Sequence, residues 1–133
     1  MLYLLNTTVI PGGADGIWQA TSLSLPQAQV YAMHSKAYTS AVGHESTAEI
    51  MSELLKVDVS VNRIQVKPVP GDQMLCFKLL KRAPEGVILS RKEINELGHE
   101  FVLMTYHGTL GAALDAKFTE HSDFLANLNQ RVY

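Results

Sequence analysis

The apolar run at residues 73–80 is the feature of this sequence that most constrains its fold. Apolar side chains fill positions 74–77 without interruption, and the turn sequence at 68–72 precedes them. A run of this length between polar loops is typical of a buried strand and is far too short to cross a membrane. The sequence therefore predicts a central β-strand with further strands beside it.

The rest of the chain alternates short apolar runs with helix signals. Ser24 with Gln27 and Ser90 with Glu93 have the spacing of capping boxes. In a capping box the side chain of each residue accepts a hydrogen bond from the backbone N–H group of the other. Helices are predicted at about 24–34, 46–55 and 90–97, and further strands at 1–5, 17–22, 38–42, 61–67 and 100–106. This order predicts an α/β fold with about five to six strands.

The C-terminal part of the chain differs from the part before it. Residues 109–118 and 122–131 each have the pattern of a short helix, and their leucine and phenylalanine side chains favour burial. We therefore predict a domain over residues 1–106 and a helical extension over 107–133 within the same globular unit.

Composition narrows the class of protein. The chain has 133 residues, a net charge of −2 and a single cysteine, Cys76. A protein that holds duplex DNA by its backbone normally has a basic surface, so long nucleic acid is not the expected partner, whereas a small anion needs few cations.

An internal disulfide is excluded, and Cys76 is expected to be a buried thiol. Without a signal peptide or a membrane span, the protein is expected in the cytoplasm.

The stretch 41–50 has the form of a strand that turns into a helix. Its apolar run ends before Gly43, and His44 precedes the helix. The first N–H groups of a helix lack internal partners and, with the helix dipole, attract phosphate. Ser46 and Thr47 add hydroxyl groups, and His44 can exchange a proton near neutral pH. This is a candidate site for cleaving a phosphodiester. The ordinary alternative is a capped helix beside a structural histidine.

Further polar residues occur at the predicted ends of strands and helices, where open sheets bind ligands. They are Asn6, Thr7, Arg63, Arg82 and Glu85. A guanidinium group forms paired bonds with phosphate oxygens, so both arginines suit phosphate binding, and Glu85 with His44 would supply proton transfer. The alternatives are an exposed strand cation at Arg63 and a solvated turn at 82–86.

Two other features of the sequence concern a predicted loop and the absence of a metal-site pattern. The glycine-rich segment 11–16 predicts a loop, which is either a connector or a lid beside the first strand. The histidines lack the spacing of a zinc site, so no metal and no cofactor are expected.

Three segments together resemble the viral anti-CRISPR ring nuclease family, small proteins of archaeal viruses, phages and prophages with cellular relatives. After a strand ending at Asn6 come Ala-Val-Gly-His-Glu-Ser-Thr at 41–47, Val-Asn-Arg-Ile-Gln-Val-Lys at 61–67 and Lys-Arg-Ala-Pro-Glu-Gly-Val-Ile-Leu-Ser-Arg-Lys-Glu-Ile at 81–94. The resemblance runs from Met1 to about Tyr106.

The resemblance implies a homodimer with a mixed β-sheet flanked by helices. It also implies that the dimer binds cyclic tetraadenylate, the messenger of type III CRISPR systems, across its axis and cuts it to linear diadenylate without metal. In that reaction a ribose 2′-hydroxyl attacks phosphorus and leaves a 2′,3′-cyclic phosphate. His44 matches the family's general acid, Arg63 and Arg82 its arginines, and Glu85 its glutamate.

The resemblance also extends to ligand contacts and has limits. Asn6, Ser46 and Thr47 match ligand-contacting positions. Lys78 stands where some relatives carry an uncharged polar residue, so it either adds a phosphate contact or faces away. The segment 107–133 has no counterpart in short family members. The predicted function is therefore a ring nuclease that ends cyclic tetraadenylate signalling. The alternatives are a protein that sequesters this nucleotide without cutting it and a small DNA-binding regulator.

Overall fold

The computed structural model describes residues 1–8, 15–81, 90–112 and 114–115. Its elements in chain order are β1 (Leu2–Leu5), β2 (Trp18–Leu23), α1 (Leu25–His34), β3 (Tyr38–Ser40), α2 (Glu45–Leu55), β4 (Gln73–Leu79), α3 (Arg91–Leu97) and β5 (His99–Tyr106). The α/β fold expected from the sequence is confirmed.

The strands form one mixed sheet in the order β2-β5-β4-β1-β3. Strand β1 lies parallel to both β3 and β4, whereas β5 lies antiparallel to β4 and β2. The apolar run that predicted a central strand is β4, the middle strand of the five. The edge strand β2 is mostly exposed, with four solvent-facing residues between two half-buried ends.

The three helices pack on one face of the sheet. Buried residues of α1, α2 and α3, such as Ala28, Met51 and Ile94, join Leu75 and Phe101 of the strands in the larger core cluster. The other face carries a smaller cluster with Met74, Cys76 and Met104 of the sheet, which Val66 covers from an irregular segment. The sheet is therefore covered by helices on one face and by chain without regular structure on the other.

Both capping boxes form as the sequence predicted. The Ser24 hydroxyl accepts a hydrogen bond from the Gln27 backbone, and the Gln27 side chain accepts one from the Ser24 backbone. Ser90 and Glu93 make the same reciprocal pair at the start of α3, and Gly98 ends that helix with φ +79°. These helix starts were predictable because a capping box acts between residues three positions apart.

The predicted strand at 61–67 is wrong. Val61 forms one isolated parallel bridge with Val42, and the residues that follow it have no strand structure. Strand β3 is the second edge strand of the sheet, beside β1, and it spans only three residues, so the segment has a very short strand to pair with. The alternating pattern does not mark one buried face, because Val66 is buried against the sheet whereas Val61 and Ile64 are exposed.

The structure describes only a few residues of the helical extension that the sequence predicts over 107–133. Residues 110–112 and 114–115 are helical. The remainder of the predicted extension, including 122–131, lies outside the described residues, so the helical extension and the division at residue 106 stay predictions. Among the described residues there is no helix long and apolar enough to span a bilayer.

Cys76 lies in β4 and is fully buried. Burial raises the pKa of its thiol to about 12, because a thiolate would be poorly solvated there. Since the thiolate is the form that attacks the disulfide of dithiobis(nitrobenzoate), native protein at pH 8 should react with this reagent far more slowly than protein in guanidinium chloride. Absorbance at 412 nm measures the reaction, and rapid labelling of the folded protein would contradict the assignment.

His99 begins β5 and packs against both Phe77 and Phe101, with ring centroids 5.8 Å and 6.1 Å away. Its Nδ1 atom is buried and has no hydrogen-bond partner in the described part of the chain. Burial first, and the nearby Arg91 guanidinium second, hold the pKa of His99 below its ordinary value of 6.5. The imidazolium form is therefore disfavoured in the folded state.

Replacing His99 by phenylalanine should change how stability depends on pH. Below the ordinary pKa the unfolded chain binds a proton at His99 that the folded chain resists, so wild-type stability falls as the pH drops below 6.5. The variant lacks this loss. Urea midpoints measured from pH 8 to pH 5 should give a constant difference between the proteins above pH 6.5 and a growing advantage of the variant below it. A constant difference throughout would contradict the prediction.

Candidate functional site

The candidate site lies where the parallel strands end. Strands β1, β3 and β4 run in the same direction. Asn6, the segment 41–44 and Leu80 therefore follow them at the same end of the sheet, where the carboxyl ends of these strands lie. Helix α2 begins at this end, and its first intrahelical bond runs from the Ala48 N–H group to the His44 carbonyl, over 2.9 Å. The N–H groups of the first turn therefore have no partner within the helix.

His44 occupies the N-cap of α2, one residue before the helix begins. Its backbone is extended, as an N-cap requires, but its side chain makes no capping hydrogen bond. N-cap residues are usually serine, threonine, aspartate or asparagine, whose side chains bond to the helix. Here the imidazole is exposed and lines a cleft of about 370 Å³ together with Glu45, Ser46, Glu49 and Arg63.

Arg63 is held beside His44 by backbone contacts. Its Nε–H group donates to the carbonyl of Gly43, over 2.8 Å. Its neighbour Asn62 anchors the segment, because its N–H group donates to the Val42 carbonyl and its side-chain amide donates to the Ser40 carbonyl, at 2.8 and 2.7 Å. The Nε bond uses one of five guanidinium N–H donors. Within the described residues the other donors are left for an anion.

A second cleft of about 350 Å³ lies on the other side of the first turn of α2. It is lined by residues that follow β1 and by residues of α2 and β4: Asn6, Thr7, Thr8, Thr47, Phe77, Lys78 and Leu79. The amide of Asn6 and the hydroxyl groups of Thr8 and Thr47 are neutral groups that can donate hydrogen bonds. Lys78 is half exposed, and its ammonium nitrogen is 3.8 Å from the Glu100 carboxylate.

The structure groups the predicted site residues into two sets. His44, Ser46 and Arg63 share the first cleft, and Asn6, Thr7 and Thr47 share the second. Because Ser46 and Thr47 are consecutive in α2, the two clefts flank the same helical turn. Arg82 and Glu85, like the loop residues 9–14, lie outside the described residues, so their placement in the site stays a prediction.

The sequence did not single out two of the lining residues. Glu49 lines the first cleft and Thr8 the second. A signal for Glu49 was present, because it follows Glu45 by four positions and so lies on the same face of α2. Thr8 follows Thr7 in the sequence, and nothing in its pattern separates it from an ordinary loop residue.

A larger groove lies elsewhere on the molecule. It has a volume of about 700 Å³, runs beside α1 and has a mostly apolar lining: Leu23, Pro26, Gln27, Val30, Tyr31, His34 and Ser35. It contains none of the predicted site residues. The described residues also include no group of three histidine, cysteine, aspartate or glutamate side chains placed to hold a metal ion.

The fold and the two clefts define a small α/β protein with polar ligand-sized clefts at the carboxyl ends of parallel strands, where such sheets commonly bind ligands. The chain belongs to the STIV B116-like family, whose model matches residues 2–101.

Relatives come from viruses and from bacteria. Protein 26 of Sulfolobus islandicus filamentous virus is 33% identical over 112 residues, which cover 80% of this chain and 94% of that protein. YddF of Bacillus subtilis is 28% identical over 76% of this chain and 93% of its own length. ORF117 of Acidianus two-tailed virus is 34% identical over 75% and 88%. The predicted kinship with small archaeal-virus proteins that have bacterial relatives is confirmed.

The fold is also found in a solved structure. B116 of Sulfolobus turreted icosahedral virus superposes with a TM-score of 0.62 and 22% sequence identity, over 79% of this chain and 98% of B116. This likeness extends to the fold. It confirms the mixed sheet with helices that the sequence resemblance implied.

Proposed function

We propose that this protein is a ring nuclease that binds cyclic tetraadenylate as a homodimer and cuts it to linear diadenylate, ending type III CRISPR signalling. The carrying observation is the first cleft, where an imidazole that makes no capping bond lies beside a guanidinium group fixed on the preceding backbone. Its place of action is the cytoplasm, which is the host cytoplasm if the gene is viral. The sequence resemblance supplies the identity of the ligand.

The first cleft suits a phosphodiester that carries its own nucleophile. Arg63 and the first N–H groups of α2, which have no partner within the helix, would bind an anion together, and charge-assisted bonds from a guanidinium group are among the strongest that phosphate oxygens accept. Ser46 lines the same cleft and adds a hydroxyl group. In RNA the 2′-hydroxyl supplies the nucleophile, so the protein needs no serine or cysteine for that role.

The proposed reaction removes a proton from the 2′-hydroxyl group and adds a proton to the departing 5′-oxygen. The ribose 2′-oxygen forms a bond to phosphorus as its proton passes to water or, by resemblance, to Glu85, and the bond from phosphorus to the 5′-oxygen breaks. The imidazolium of His44 gives its proton to that departing oxygen, and the product keeps a 2′,3′-cyclic phosphate. By resemblance, Glu85 assists proton transfer or orientation and Arg82 holds phosphate beside Arg63. Asn6, Thr7 and Thr47 contact the ligand from the second cleft.

A turnover assay tests the proposal. The protein is mixed with a hundredfold excess of cyclic tetraadenylate in EDTA, and the products are separated by chromatography. Many turnovers to linear diadenylate in EDTA are expected. Stoichiometric binding without product would identify a protein that sequesters the nucleotide. Absence of binding, with salt-dependent affinity for duplex DNA instead, would favour the DNA-binding regulator, which the net charge of −2 argues against.

A further inference from the structure

The apolar groove beside α1 takes no part in the proposed reaction. It is lined by Leu23 at the end of β2 and by side chains of α1, among them Val30 and Tyr31, and has a volume of about 700 Å³. Val30 is 57% exposed there. Proteins rarely leave large apolar surfaces open to water, and such surfaces commonly mark a place where another segment or molecule binds. An occupant of the groove would bury this surface.

The chain leaves the sheet next to the groove. The Tyr31 hydroxyl group donates a hydrogen bond to the side-chain oxygen of Gln73. The side-chain amide of Gln73 in turn donates to the hydroxyl group of Thr105, over 3.2 Å. Thr105 is the second-last residue of β5. The Tyr31 end of the groove therefore lies close to the point where the chain continues into residues 107–133.

The first residue after β5 lies on the same side of the sheet as the groove. The imidazole Nε2 atom of His107 is 3.1 Å from the side-chain oxygen of Gln19. Gln19 pairs with Thr105, and because side chains alternate along a strand, both share the face of Phe101, on which the helices pack. Gln19 and Thr21, which project from β2 on this face, are exposed. The helix layer therefore leaves part of β2 uncovered beside the exit of the chain.

The sequence that follows has an apolar stripe. Residues 116–133 lie outside the described part of the chain, and a helix is predicted from the sequence at 122–131. Phe124, Leu125, Leu128 and Val132 recur at spacings of one, three and four, which places them on one face of such a helix. Ten helical residues extend about 15 Å, which is also the length of the ten-residue α1. The six residues 116–121 can span up to about 20 Å, enough to bring this helix alongside α1.

We propose that residues 122–131 form a helix that packs its apolar stripe into the groove beside α1. This helix covers Val30 and Leu23 and extends the helix layer of the fold over β2. The occupant of the groove is thus a segment of the same chain, and the inference does not depend on the proposed function.

Thiol labelling of the full-length chain tests the proposal. Val30→Cys places a thiol in the groove, and Met33→Cys is the matched control, on the same helix but outside the groove and 60% exposed. With dithiobis(nitrobenzoate), Val30→Cys should react at least about tenfold more slowly than Met33→Cys, because labelling requires the segment to leave the groove first. The buried thiol of Cys76 should react slowly in both variants, which reports that the fold is intact.

Substitutions in the C-terminal segment test whether it causes the protection. In the Val30→Cys chain, Leu125→Ser combined with Leu128→Ser should raise the labelling rate to that of Met33→Cys, because the segment loses the apolar contacts that hold it. Asn127→Ser combined with Gln130→Ser changes polar positions of the same predicted helix, away from the stripe, and should leave Val30→Cys protected.

Three results would overturn the proposal. Equal labelling rates for Val30→Cys and Met33→Cys would show that the groove is open. Protection that survives the two leucine substitutions would mean that another part of the chain covers it. Protection that is lost when the protein is diluted about a hundredfold would identify a second copy as the occupant, because only contacts between molecules depend on concentration. None of these measurements uses cyclic tetraadenylate, so they stand or fall apart from the proposed function.

Discussion

Replacing His44 by alanine should slow cleavage of cyclic tetraadenylate by about 10²- to 10⁴-fold, the usual contribution of a positioned general acid. Binding should persist, because Arg63, the first turn of α2 and the second cleft are untouched. Stability should change by less than about 0.5 kcal/mol, because the His44 side chain is exposed and makes no capping bond. Single-turnover cleavage, a direct binding assay and urea denaturation measure the three quantities separately.

A second variant at the same position sharpens the test. His44→Ser should place a hydroxyl group at the N-cap, where serine side chains bond to the helix, and stabilise the protein by about 0.5–2 kcal/mol. Its cleavage rate should be as low as that of His44→Ala. This result would mean that a histidine at residue 44 supports catalysis although a serine there would make the helix more stable. His34→Ala, an exposed histidine at the end of α1, is the control and should keep full activity.

Two outcomes would count against this role for His44. Full activity in His44→Ala would remove the imidazole from the reaction. Loss of activity together with a large fall in the free energy of unfolding would show that the side chain supports α2 after all, and the kinetic result would then carry no mechanistic meaning.

Replacing Phe101 by alanine should lower the free energy of unfolding by about 3–5 kcal/mol. Phe101 is 1% exposed and packs its ring against Phe77, with centroids 5.6 Å apart. It belongs to the core cluster that joins the sheet to all three helices, so the cavity left by its removal would border both layers. Domains of this size are stable by about 5–15 kcal/mol, and the loss is therefore a large share of the total.

Urea titrations followed by tryptophan fluorescence measure this effect, since Trp18 is the single tryptophan and lies in β2 beside β5. Phe101→Leu, which keeps most of the volume, should cost less than about 1.5 kcal/mol. Met33→Ala, at a helix position that is 60% exposed, should be nearly neutral. Equal midpoints for Phe101→Ala and Met33→Ala would contradict the assigned core.

The parts of the fold that sequence reasoning recovered are those fixed by neighbouring residues. Capping boxes at Ser24 and Ser90 placed the starts of two helices, and the apolar run at 73–80 located the central strand. The segment 61–67 was mispredicted because its alternation does not correspond to one buried strand face: Val61 and Ile64 are exposed, and of its apolar residues only Val66 is buried. Val66 is buried against the sheet without a ladder of hydrogen bonds.

Six of the predicted site residues line the two clefts, Arg82 and Glu85 lie outside the described residues, and the arrangement in two clefts was not predictable from the sequence. His44 and Thr47 were identified because a helix start, a histidine and a hydroxyl group stand close together in the sequence. The two residues line different clefts because different parts of the chain lie beside each of them. The order of the strands in the sheet determines this, and the sequence does not reveal that order. Glu49 was missed because its position in the cleft follows from the path of residues 61–64, which the predicted strand had misplaced.

The sheet order also determines when the nascent chain can fold. Strand β2 pairs with β5, and their first partners in the ladder, Trp18 and Tyr106, are far apart in the sequence. During synthesis β2 and β4 must wait with open edges until residues 99–106 have left the ribosome. Pairing over such a long stretch of chain is slow, because loop closure must precede any gain from contacts. A chain truncated before residue 99 would therefore expose the unpaired edges of β2 and β4 and should aggregate more readily than the full chain.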